Sequence, residues 1–199
     1  MDDTPALAGL VLAGGRSRRF GRGKALAQFG GGTLLQRAIE RFSPCGACAV
    51  AARGNPNVVE HARSLGAAVL SDAPTAAEGP LAGIAAGLAW ASAEGFALLA
   101  VAPCDTPLLA WRHYARLLAA LDEAPAAFAA TGDDDHPLCA VWRCQQRAAL
   151  DTALAGGRHP SVRGILSSSG ARRVSFSDTR AFANANTARE LAELSEAMP

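Results

Sequence analysis

The chain has 199 residues, half of them hydrophobic, with 19 Lys+Arg against 18 Asp+Glu and a formal net charge of +1. That length suits one domain burying roughly 70% of its unfolded surface without staples, and the near-neutral balance argues against a general nucleic-acid or acidic-membrane surface. The odd count of 5 cysteines indicates a reduced cytosolic protein rather than a disulfide scaffold, the apolar runs stop short of a bilayer span, and Met1-Asp2-Asp3 lacks the basic start of a signal peptide.

In chain order, Leu7 to Ala13 reads as a buried strand ending in two glycines. Thr33 is placed to cap a helix over Leu34 to Phe42. Ala47 to Ala52 is a second strand, Asn57 to Leu65 a helix, and Ala67 to Leu70 a strand. Gly79-Pro80 precedes an alanine-rich helix, Leu81 to Ala93, whose glycines permit close packing on a sheet. Phe96 to Ala102 is the most strand-like run and stops at Pro103; Leu108 to Leu121 is helical, with Pro107 near its first turn. Ala126 to Ala130 and Pro137 to Trp142 read as strands flanking a polar turn. Helices over Gln145 to Ala155 and Pro160 to Ser168, a strand over Arg172 to Phe176 and a helix over Thr187 to Ala197 complete the chain. This alternation predicts a single α/β domain over 1–199, with a mostly parallel twisted sheet and helices on both faces.

Ligands of such sheets bind beyond the carboxyl ends of the strands, which selects three loops. The first, Gly14-Gly15-Arg16-Ser17-Arg18-Arg19-Phe20-Gly21-Arg22-Gly23-Lys24, combines four glycines with five basic side chains. Glycine N–H groups can close around an anion that basic side chains neutralise; a surface loop without ligand is the other reading. The register fits neither a Walker loop nor the dinucleotide fingerprint. Lys24 is the only lysine of the sequence. Either it is a chance survivor of an arginine bias, or it stands where a compact ammonium works and a planar fork does not. The second loop carries Ser71 and Asp72 before Gly79-Pro80-Leu81-Ala82-Gly83. The third is Pro103-Cys104-Asp105-Thr106-Pro107, where Asp105 is placed either to hold a divalent cation over phosphates or to cap the next helix.

Together these loops resemble the molybdenum cofactor guanylyltransferase family, within the Rossmann-like nucleotidyltransferase fold. Leu12-Ala13-Gly14-Gly15 with Ser17, Arg19, Gly21 and Lys24 is similar to the family's opening signature. Asp72 with Gly79 to Gly83 resembles its second motif and Pro103 to Pro107 its third; His136-Pro137 and Phe182-Ala183-Asn184-Ala185-Asn186-Thr187 resemble later ones. The sister cytidylyltransferases typically read Leu-Ala-Ala-Gly and Asp-Gln-Pro in the first and third loops, so the resemblance favours GTP.

The resemblance implies transfer of GMP from GTP to the terminal phosphate of molybdopterin, with release of pyrophosphate. It implies that Leu12, Ala13, Gly14, Gly15 and Asp72 hold the guanosine, that Arg19 and Lys24 hold the triphosphate, and that Asp105 ligates Mg²⁺. It places Asn184, Asn186 and His136 on the molybdopterin side, with the N-terminal half binding GTP and the C-terminal half the pterin. Further expectations are a cytoplasmic monomer that meets cofactor-biosynthesis proteins and acceptor molybdoenzymes, and neither nucleic acid nor membrane. A cytidylyltransferase, another phosphate acceptor, or a non-catalytic cofactor carrier are the alternatives. The sequence departs from the family pattern at the second strand, where Val50-Ala51-Ala52-Arg53 replaces a base-reading asparagine and Asn55 comes slightly late.

Cys45-Gly-Ala-Cys48 lacks the second pair a zinc site needs and reads as ordinary thiols. Cys104 reads as packing, Asp133-Asp134-Asp135 as a solvated turn, and His61, His113 and His159 as surface or capping residues. Trp90 and Trp111 fall on helices and pack toward the sheet.

Overall fold

A computed structural model of the chain describes residues 6–14, 23–52, 54–70, 79–155 and 160–196. Its strands are β1 (Leu7–Leu12), β2 (Gln28–Phe29), β3 (Gly32–Thr33), β4 (Ala47–Ala51), β5 (Ala68–Leu70), β6 (Leu98–Pro103), β7 (Ala126–Thr131), β8 (Asp134–Arg143) and β9 (Arg172–Ser175). Its helices are α1 (Leu34–Glu40), α2 (Pro56–Ser64), α3 (Pro80–Ala93), α4 (Trp111–Leu121), α5 (Arg147–Ala155), α6 (Val162–Ser169) and α7 (Ala188–Glu196). Seven strands form one sheet in the order β5-β4-β1-β6-β8-β7-β9, and β2 pairs with β3 in a separate short ribbon. Neighbours within β5-β4-β1-β6 are parallel, as are β7 and β9; β8 runs antiparallel to both of its neighbours. The expected α/β fold, mostly parallel and covered on both faces, is the observed one.

The pleat divides the core in two. Val11, Val50, Ala100, Ala102 and Val141 face α1, α2, α4 and α7, whereas Leu10, Ala49, Leu99, Val101 and Trp142 face α3, α5 and α6. The glycines of α3 do lie against the sheet. A Cβ on Gly87 would meet Leu10 Cδ2 at 2.5 Å, and one on Gly83 would meet Leu12 Cδ2 at 3.0 Å, so this helix seats closer than any side-chain-bearing surface would allow.

Local signals explain several boundaries. The Thr33 hydroxyl accepts from Gln36 N–H at 3.0 Å and starts α1 as expected, and the Ser161 hydroxyl caps α6 through Gly164 N–H. Pro107, however, does not open α4: Leu109 N–H donates to Thr106 C=O across a turn, and the helix begins at Trp111. The carbonyls of Thr106 and Leu109 also accept from a side chain of α1's C-terminus, described below. The second hairpin strand is also longer than expected. β8 begins at Asp134, because Thr131 to Ala129 pair with Asp134 to His136 before a bulge.

Gly9 at the centre of β1 marks the tightest contact on the other face. A Cβ there would lie 2.5 Å from Phe42 Cγ and 2.7 Å from its Cβ. The Phe42 ring cannot retreat, because Tyr114 packs edge-on against it with centroids 5.0 Å apart. Gly9→Ala is therefore expected to overpack the core by about 1–3 kcal/mol and to lower the melting temperature by roughly 2–4 °C for each of those kcal/mol; thermal unfolding measures it.

Candidate active site

Adjacent parallel strands deliver the first and third loops to one place. Cys104 N–H donates to Leu12 C=O at 3.1 Å and Ala13 N–H to Ala51 C=O at 3.0 Å, so the ends of β1, β4 and β6 are knitted together. Leu12 and Ala13 are half-buried there and Gly14 is exposed. Gly15, Arg19 and Asp72 lie outside the described residues.

Gly23 and Lys24 enter a short 3₁₀ turn, Lys24–Leu26. Glycine is needed at 23 because a Cβ would stand 2.5 Å from Asn55 Nδ2. Asn55 itself is the N-cap of α2: its side-chain oxygen accepts from Asn57 and Val58 N–H at 3.1 and 3.4 Å. The amide that comes late in the second strand's loop is thus engaged by its own helix on one side and abuts Gly23 on the other.

Lys24 is the hub of the site. Its Nζ donates to Asp105 Oδ2 at 2.7 Å and to Asn186 Oδ1 at 2.9 Å. Residues separated by 81 and 162 positions in sequence meet at one ammonium. The lysine side chain is only 14% exposed and the aspartate 30%, so the pair is more than a solvated surface contact.

Each acidic or amide partner is held by its own scaffold. The Thr106 hydroxyl donates to Pro103 C=O at 3.2 Å, and Asp105 C=O accepts from Ala185 N–H at 2.9 Å. From the other side Arg41, at the C-terminus of α1, donates through Nε to Leu109 C=O and through Nη2 to Thr106 C=O, both at 2.6 Å. Asn186 precedes a capping box at α7. Glu190 Oε2 accepts from Asn186 N–H at 2.5 Å and from Thr187 N–H at 3.1 Å, while the Thr187 hydroxyl accepts from Glu190 N–H at 3.1 Å. Thr187-x-x-Glu190 was readable as a helix start; nothing in the pattern around Arg41 signals its role.

His136 and Asn184 do not join this hub. Asn184 is exposed, with no side-chain hydrogen bond among the described residues. His136 lies within β8, bonds through Nε2 to the Thr131 hydroxyl at 2.8 Å, and stacks on Phe182 with centroids 4.6 Å apart. Phe182 also packs edge-on against His113 and beside Phe176. His136 thus supports the root of the segment that carries Asn184 and Asn186.

His113 is buried, not superficial, at 4% exposure. It caps α4: its Nδ1 lies 3.1 Å from Ala110 N and 3.0 Å from Ala110 O, and its Nε2 lies 3.8 Å from Asp178. Burial holds the pKa of His113 below its ordinary value, and burial does the same at His136 against the opposing pull of Asp134 and Asp135. The acidic run is not wholly solvated as expected. Asp135 pairs with Arg163 and Arg173 at 2.7 Å each, because the longer β8 carries it to the side of β9 and α6. All five cysteines are free, and burial pushes the Cys45, Cys48, Cys104 and Cys139 thiols up to about 12, as inert thiols require. Among the described residues no group of three or more His, Cys, Asp and Glu converges as a metal cluster, and no helix is long and apolar enough to cross a membrane.

A parallel sheet whose strand ends gather a lysine, an aspartate and an asparagine has the fold of the nucleotidyltransferases. The structure superposes with a TM-score of 0.73 on the molybdopterin-guanine dinucleotide biosynthesis protein A of Archaeoglobus fulgidus, at 21% identity over 96% of this chain and 97% of that one. Residues 9–174 match the MobA-like NTP transferase domain, and the chain belongs to that family. It is 38% identical to a molybdenum cofactor guanylyltransferase of Cereibacter sphaeroides over 94% of both chains. To the molybdenum cofactor guanylyltransferase of Acidiphilium cryptum it is 40% identical, over 93% of this chain and 92% of the relative.

The two depressed imidazoles set a pH dependence. The unfolded chain binds protons that folded His113 and His136 refuse, so their contribution to stability is complete above the ordinary value of 6.5 and is lost as pH falls through the lowered folded values. The melting temperature is expected to hold above about pH 7 and to decline below about pH 6.5, with a shallower decline in His113→Gln. Melts across this range test it; parallel profiles for the two proteins would remove His113 as a source.

Proposed function

We propose that this protein is an enzyme that transfers GMP from GTP to the terminal phosphate of molybdopterin, forming the guanine dinucleotide cofactor and releasing pyrophosphate. The observation that carries the reading is the convergence of Lys24, Asp105 and Asn186 at one point, in a chain whose relatives at 38–40% identity are named molybdenum cofactor guanylyltransferases. The hub also supports one catalytic domain with two functional halves: Lys24 comes from the N-terminal, GTP-binding half and Asn186 from the C-terminal, pterin-binding half. Free thiols and near-neutral charge support a cytoplasmic enzyme, which we read as a monomer.

The chemistry asks for positioning and charge neutralisation more than proton transfer. The acceptor phosphate monoester has a second pKa of about 6 and is already largely ionised at neutral pH, so no general base is needed. The ammonium of Lys24 exchanges a carboxylate and an amide oxygen for phosphate oxygens and stabilises the charge that builds on the departing pyrophosphate. Arg19 assists it. Leu12, Ala13, Gly14 and Gly15 offer backbone groups to the guanosine, with Asp72 on the same side; Asn184, Asn186 and His136 belong to the pterin side.

Nucleotidyltransferases of this family typically use a divalent metal, and the donors here fit a hard cation. Asp105 Oδ2 and Asn186 Oδ1 already converge on a single positive centre, the Lys24 ammonium, at 2.7 and 2.9 Å. One carboxylate completed by substrate phosphates and water is the coordination that Mg²⁺ prefers to an all-protein cage. Asp105 would hold the ion, with Asn186 beside it. Bound there, Mg²⁺ supplies charge neutralisation and polarisation of phosphoryl oxygens.

The test is pyrophosphate release from GTP in the presence of molybdopterin, with CTP as competitor. GTP binding without pyrophosphate release would show a carrier rather than an enzyme, and equal use of CTP would remove the guanine assignment. Asp105→Asn is expected to abolish turnover while weakening GTP binding far less. Lys24→Arg is expected to lose about 10- to 100-fold in rate despite its retained charge, because a planar fork cannot take the place of a point charge between two oxygens.

A further inference from the structure

Arg41 presents an energetic puzzle. It is 7% exposed and makes no ion pair among the described residues, yet a buried guanidinium is costly unless its charge and its donors are matched. Part of the compensation is local: Arg41 is the C-cap of α1, where the carbonyl ends of the helix favour a cation. The rest comes from the carbonyls of Thr106 and Leu109, each at 2.6 Å, while Nη1 is buried without a partner. A methionine of similar length would fill the same space without an unmatched charge. What it could not do is hold those two carbonyls.

The two carbonyls bracket the turn that directly follows Asp105 and precedes the start of α4 at Trp111. The Asp105 backbone is then held on three sides: by Arg41 through Thr106, by the Thr106 hydroxyl on Pro103, and by Ala185 N–H. Of these, only Arg41 reaches the loop from the layer beneath it, through two bonds made by different nitrogens of one planar fork, Nε and Nη2. We propose that Arg41 is a positioning residue of the transfer reaction, clamping Thr106 and Leu109 from behind so that the Asp105 carboxylate faces Lys24 and Asn186. The proposal rests on the reading of Asp105 as a reaction residue given above. No contact between Arg41 and substrate is required.

The test uses the full-length enzyme with Arg41→Met and Arg41→Lys, and with Asp105→Asn as the benchmark. In Arg41→Met, amide exchange across 104–110 is expected to accelerate about tenfold or more while β6 and α1 exchange as in the parent. The turnover number is expected to fall about 10- to 100-fold, as a small misplacement of a reacting group does, with the KM for GTP changed less than about threefold. Binding of Mn²⁺ to the GTP complex, followed by calorimetry without turnover, is expected to weaken. Arg41→Lys, which keeps the charge but spans one carbonyl at a time, should fall between parent and methionine. Unchanged exchange across 104–110 overturns the clamp whatever the activity. Faster exchange with parental turnover and Mn²⁺ binding overturns its role in the reaction, provided Asp105→Asn is inactive. An active Asp105→Asn would instead overturn the role of Asp105, and the clamp would still stand or fall on the exchange data. If Arg41→Met does not fold, Arg41→Lys decides: a lysine variant matching the parent in exchange, turnover and Mn²⁺ binding overturns the proposal.

Discussion

One ammonium group organises the site. Lys24 lies at the end of the loop after β1, Asp105 at the end of β6 and Asn186 just before α7, and the three side chains meet at Lys24 Nζ. The rest of the fold can be read as what that contact demands. β1 and β6 must be neighbours and parallel, so that their following loops emerge side by side. The C-terminal segment must return across the sheet, which Ala185 N–H secures by bonding to Asp105 C=O. An ammonium carries three donors, and among the described residues two of them are engaged, by Asp105 and Asn186.

The return of the C-terminal segment depends on aromatic rather than polar chemistry. Phe182 sits between the flat face of His136 and the edge of His113, with Phe176 beside it. Both histidines are held neutral by burial, which removes the cost of desolvating a charged imidazole against a ring. The capping box at Thr187 and Glu190 then fixes the backbone of Asn186 at the other end of the segment. Asn184 and Asn186 are therefore suspended between an aromatic clamp and a helix start.

The sequence was most legible where local signals and tertiary demands agree. Apolar runs gave the central strands, Thr33 announced α1, and the bracketing prolines around Asp105 marked a loop of fixed shape. It was least legible where a distant group overrides a local preference. Pro107 suits a first helical turn, but Thr106 to Leu109 form a separate turn whose carbonyls Arg41 holds from 65 and 68 residues away, and α4 starts at Trp111. Asp134 to His136 look like a polar turn, but pairing with β7 and the arginines on α6 and β9 make a strand of them. The β2–β3 ribbon and the 3₁₀ turns at Lys24–Leu26 and Thr179–Phe182 are too short to show a period. In the site, Lys24 and Asp105 could be picked out from loop composition alone, whereas the stacking of His136 on Phe182 depends on a bulge in β8 that no residue pattern announces.

The arginine bias gives the hub a chemical singularity. Of 19 basic side chains, 18 are guanidinium groups, which resist acylation and carbamylation because they stay protonated. The one primary amine among the side chains is the group on which Asp105 and Asn186 converge. Amine-selective labelling of the side chains therefore has one target, and its rate at Lys24, read apart from that of the chain's α-amine, reports how tightly Asp105 and Asn186 hold the ammonium. The same economy concentrates vulnerability: a single adduct at one nitrogen reaches both contacts that tie Lys24 to Asp105 and Asn186.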